Sequence, residues 1–100
     1  MPKLYEYLGI IFFFYSNEHE PIHVHARKGE YESKAEIILV EGVIERIVIS
    51  NVKGRKPLKG KDLKHLRIFL SEYAGEIVSK WIDYFVYHKE IECNIITNKL

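Results

Sequence analysis

Apolar positions change their spacing once along the chain, near residue 60, from runs and alternation to a repeat of three or four. Residues 9–15, Gly-Ile-Ile-Phe-Phe-Phe-Tyr, are apolar on both faces and rich in β formers, which predicts a central strand covered on each side. Residues 16–21 are turn-rich, and Pro21 favours an extended start to the next segment. A second strand is predicted over 22–28, with Gly29-Glu30 as its turn, and a third over 31–40 with Ala35, Ile37 and Leu39 on one face. Glu41-Gly42 is a further turn before a fourth strand over 43–50. Short links make this an antiparallel four-stranded meander, spanning about 8–50.

A polar loop over 51–60 separates the meander from the second pattern. Leu63, Leu66, Leu70, Tyr73, Ile77, Trp81 and Phe85 form one helical stripe, so 61–88 reads as helical. Gly75 falls inside the stripe and costs about 1 kcal/mol relative to Ala. The stripe keeps its phase across Gly75, which fits one kinked helix or two short ones. In the tail, 89–100, Ile91, Cys93 and Ile95 alternate, as in a short added strand or an extension ordered by a partner. The expected architecture is a single α+β domain over 1–100, with helix packed on one sheet face. Phe12 and Phe14 oppose Ile11 and Phe13, so the other face must meet a partner, a second helix or a second copy in a homodimer.

Composition narrows the classes. One hundred residues suffice for one core, and 13% aromatics implies dense ring packing or a face that a partner covers. The lone Cys93 excludes an intramolecular disulfide and any multi-cysteine cage, which suits a reducing cytoplasm. The apolar run 8–15 is too short for a signal peptide or a membrane span, so a cytoplasmic, membrane-free protein is expected. Charge is uneven. Between 53 and 64 six bases (Lys53, Arg55, Lys56, Lys59, Lys61, Lys64) face one acid, a local +5 on a chain of net +1. The remainder carries −4, so a basic segment sits on a mildly acidic body and points to an anionic partner.

The candidate chemistry lies in His19-Glu20-Pro21-Ile22-His23-Val24-His25, which holds three of the five histidines. On a strand His23, His25 and Arg27 project together, opposite Ile22, Val24 and Ala26, so the imidazoles are expected on an accessible surface. The pattern admits three readings. RNA cleavage needs a base, an acid and cations on the phosphate; His23 and His25 supply the first two and Arg27 the third. Lys53, Arg55, Lys56, Lys59 and Lys61 would track the nucleic-acid backbone. Alternatively His19, His23 and His25 hold a divalent metal, with Glu30, Glu32 or Glu36 as a carboxylate ligand. In the third reading there is no chemistry, and aromatic sheet and basic loop bind protein or nucleic acid.

Leu8-Gly9-Ile10-Ile11 leading into an apolar strand, His19-x-Pro21-x-His23-x-His25, Lys34-Ala35 in the next strand, and Glu76-Ile77-Val78-x-x-Trp81 in the C-terminal helix form one combination. Over roughly 8–85 it resembles the small bacterial family called domain of unknown function 4160. That family's motif usually reads His-x-Pro-Pro-His-x-His followed by an acidic residue and a Tyr; here Ile22 replaces the second Pro, and Arg27-Lys28 come after the motif. The resemblance implies a bacterial, cytosolic protein encoded beside a second small protein, the pair having been proposed as a toxin–antitoxin module with this family as the toxin.

Overall fold

The computed structural model describes residues 2–17 and 21–100. The elements run β1 (Lys3–Tyr7), β2 (Ile10–Phe13), β3 (His23–Lys28), β4 (Tyr31–Val40), β5 (Val43–Asn51), α1 (Gly60–Phe85) and β6 (Asn94–Ile96). They form one six-stranded sheet in the order β5-β4-β3-β2-β1-β6. Every pair is antiparallel except β1 with β6. The α+β class holds, and the predicted meander is β2 to β5 of a larger sheet.

β1 was not foreseen. The predicted first strand began inside a turn: Leu8 and Gly9 both have positive φ, 49° and 82°, and reverse the chain between β1 and β2. Leu4, Tyr5 and Tyr7 of β1 are buried, with Tyr5 opposite Phe12 and Tyr7 opposite Ile10. β6 realises the added-strand alternative for the tail by pairing Asn94, Ile95 and Ile96 with Tyr5, Glu6 and Tyr7. Lys80 of α1 pins this edge. Its ammonium donates to the carbonyls of Leu4 and Glu92, at 3.1 and 3.0 Å, and to Asn94 Oδ1 at 2.7 Å.

The helical region is one uninterrupted helix rather than two. Leu66, Phe69, Leu70, Ala74, Ile77 and Trp81 form its buried stripe, and Gly75 faces outward. Burying one Phe-sized side chain contributes about 1.5–3 kcal/mol, which exceeds what a single helical glycine costs. α1 covers one sheet face through a ring cluster: Phe69 stacks on Phe12 at 4.3 Å and meets Tyr5 edge-on at 5.1 Å. Phe14, Val24, Ala26, Ala35 and Ile37 complete this core. The opposite sheet face is left to a different set of side chains.

Candidate functional site

Alternation along β3 sends Val24 and Ala26 into the core under α1 and turns His23, His25 and Arg27 to the opposite face. Register then fixes their neighbours. His25 lies between Phe13 and Lys34, Arg27 between Ile11 and Glu32, and His23 opposite Glu36. Phe13 is fully buried on this second face. Its ring lies under His25 (5.4 Å between centroids, 21° between planes), against the edge of Tyr15 at 5.2 Å, and beneath the Arg27 guanidinium at 5.5 Å.

The accessible imidazole surface expected from alternation is corrected by this packing. His23 and His25 are both buried, His25 at only 3% exposure. Tyr15, just past β2, closes edge-on over His25 at 4.4 Å, and the two imidazoles meet at 5.2 Å. An apolar Phe13 on the face away from the helix needs a cover, and these rings provide it.

Glu32 of β4 organises the cluster. Its carboxylate is 1% exposed, accepts hydrogen bonds from two segments and pairs with a guanidinium from a third. His25 Nδ1 lies 3.0 Å from Oε2, the Tyr15 hydroxyl donates to the same oxygen at 3.2 Å, and Arg55 Nε approaches Oε1 at 3.4 Å. A buried carboxylate without partners would be strongly disfavoured; two hydrogen bonds and one guanidinium charge satisfy it. Burial first, then the charge and hydrogen bond of Glu32, push the Tyr15 phenol above its ordinary value, with Arg27 and Arg55 opposing.

A carboxylate only accepts, so His25 donates from Nδ1 and Nε2 becomes its basic nitrogen. His23 Nδ1 lies 2.6 Å from the Pro21 carbonyl, so it too donates from Nδ1. Rings held in this way are oriented as both proton-handling and metal-binding histidines are. Among the described residues two imidazoles stand together on this face. Among the described residues no group of three or more His, Cys, Asp or Glu side chains is disposed to hold an ion. His19, the third member of the predicted set, lies outside the described residues.

The basic loop divides. Beyond β5 the chain turns tightly, with Arg55 N–H donating to the Val52 carbonyl at 3.0 Å and Gly54 supplying a φ of 80°. It then docks along the start of β4: Glu32 N–H donates to the Lys56 carbonyl at 2.8 Å, and Leu58 N–H to Ser33 Oγ at 3.0 Å. This brings Lys53 and Arg55 to the histidine face. Tyr15, His25, Lys34, Asn51, Val52 and Lys53 line a cleft of about 380 Å³ there. Lys56 and Lys61 are exposed and lie outside that lining, while Lys59 sits over the Tyr31 ring at 5.6 Å.

The family model described as domain of unknown function (DUF4160) matches residues 9–82. The chain belongs to this family. The matched span runs from the turn before β2 to the last full turn of α1, so it contains the whole cluster around Glu32, while β1 and β6 lie outside it. No curated protein and no solved structure matches the chain.

Sequence reasoning named His23, His25, Arg27, Lys53 and Arg55, and counted Glu32 only among three carboxylates for a metal. It missed Tyr15 and Lys34. The register signal was available: Lys34 is opposite His25 once the Gly29-Glu30 turn is fixed. Tyr15 carried no comparable signal, because its position depends on how the chain leaves β2.

Proposed function

We propose that this chain is the toxin-like member of a pair of small proteins, acting on RNA at the cleft between the β3 histidines and the basic loop. A cognate antitoxin-like protein would hold it in check. The observation that carries the reading is the presence of Lys53 and Lys34 in one cleft with His25. Cleavage of RNA by its own 2′-hydroxyl requires a base for that proton, cations on the phosphate and an acid for the leaving 5′-oxygen. His25, with Nδ1 held by Glu32, is suited to the base; His23, one ring away, to the acid. Lys34, Lys53 and Arg27 supply positive charge. Arg55 contributes indirectly through its ion pair with Glu32.

A second reading draws on the depth of the imidazoles. With both rings almost wholly buried, the cleft can serve as a binding surface whose contacts are made by the lysines. One experiment separates the two. Purified full-length chain is incubated with single-stranded RNA in EDTA, and both binding and products are tracked over a salt series. The enzymatic reading expects fragments ending in 2′,3′-cyclic phosphate, lost in His25→Ala. Salt-sensitive binding without fragments establishes the binding module instead. Absence of both binding and cleavage sinks the RNA target.

A further inference from the structure

We infer that Glu32 is the positioning residue of this site, fixing the His25 tautomer and holding the basic loop against the histidine face through one carboxylate. The purpose of this device rests on the proposed action on RNA; its existence does not. Two hydrogen-bond donors and one ion-pair partner reach the carboxylate from parts of the chain that share no element: Tyr15 after β2, His25 in β3 and Arg55 in the loop beyond β5. The Glu32 main chain adds a fourth tie, its N–H donating to the Lys56 carbonyl at 2.8 Å. One residue therefore touches the ring that would move a proton and the loop that would hold the phosphate.

The division of the oxygens matters. Oε2 serves the ring and the phenol, and Oε1 serves the loop. A carboxylate has acceptor capacity on both oxygens and no donor, so ring, phenol and guanidinium can all face it. An amide in its place has one accepting oxygen and an NH₂ that itself donates. Its oxygen can serve the ring and the phenol or face Arg55, not both sides, and a ring facing the NH₂ must present a bare Nδ1. Arg55 is 36% exposed, so its tie can be cut without opening the buried part.

The test is the imidazole ¹H–¹⁵N long-range spectrum of the full-length protein at neutral pH, with amide exchange at 53–56, for wild type, Glu32→Gln and Arg55→Ala. The wild type is expected to show His25 as the pure Nδ1–H tautomer. In Glu32→Gln at least one of the two is lost: the His25 pattern when the NH₂ faces the ring, the protection at 53–56 when it faces Arg55. Arg55→Ala keeps the tautomer and loses only the loop protection. A wild-type Nε2–H tautomer overturns the inference, as does a folded Glu32→Gln protein with ring and loop unchanged. Should Glu32→Gln fail to fold, the wild-type tautomer and Arg55→Ala decide: loop protection unchanged by Arg55→Ala overturns the role. None of these readouts involves RNA. If they appear as expected and RNA neither binds nor is cut, the target is wrong and the positioning role stands.

Discussion

Tyr5 of β1 is sealed under α1 with its hydroxyl donating to Glu76. Burial, then the Glu76 hydrogen bond and charge, raise its phenol well above the ordinary value of 10.0. The folded protein therefore keeps a proton that the unfolded chain releases near pH 10, so stability is fully present below that pH and falls above it. Tyr15 acts in the same direction. Urea unfolding between pH 9 and 11.5 should show this decline, and Tyr5→Phe should make it shallower; equal slopes would contradict the account. At this scale the sequence was readable where one strand sufficed. Alternation alone placed His23, His25 and Arg27 on one face. The Tyr15–Glu32–His25–Arg55 cluster was not readable, because its members come from four segments that only sheet register and loop docking bring together.

Gly75 illustrates the element scale. It sits within a continuous helix, has no positive φ, and a Cβ added there meets nothing within 4 Å. Gly75→Ala should stabilise the fold by about 1 kcal/mol. Thermal unfolding would show that as a rise of roughly 4–8 °C, and an unchanged or lower midpoint would mean that alanine disturbs the groove with β5. The helix was legible because its stripe of seven apolar positions stays in phase across Gly75. β1 was overlooked because its alternation spans only Leu4 to Tyr7, although Tyr5-Glu6-Tyr7 carries the period-2 signal. β6 is three residues long and rests on Lys80 and the β1 edge, contacts that the tail's own sequence does not encode.

Across the whole molecule the sheet separates two environments. One face is an aromatic core closed by α1, and the other is a layer of rings and paired charges fixed by Glu32. The basic loop joins the second face because its backbone continues along β4 where β5 stops, at Asn51 opposite Ser33. Local charge was visible in the sequence; the half of it that meets the histidines was not, since the turn at Gly54 sets Lys53 in the cleft and Arg55 on Glu32 while Lys56 and Lys61 lie outside it. No helix among the described residues is long and apolar enough to cross a membrane.

The central claim is that the histidine face is the working surface of a toxin-like protein. Inducible expression in a bacterial host, wild type beside the His23→Ala/His25→Ala double variant, tests it most directly. The account predicts growth arrest by the wild type and normal growth with the double variant, at equal levels of folded protein. Arrest by both would show that inhibition does not run through these imidazoles. Normal growth with both would contradict the toxin reading itself.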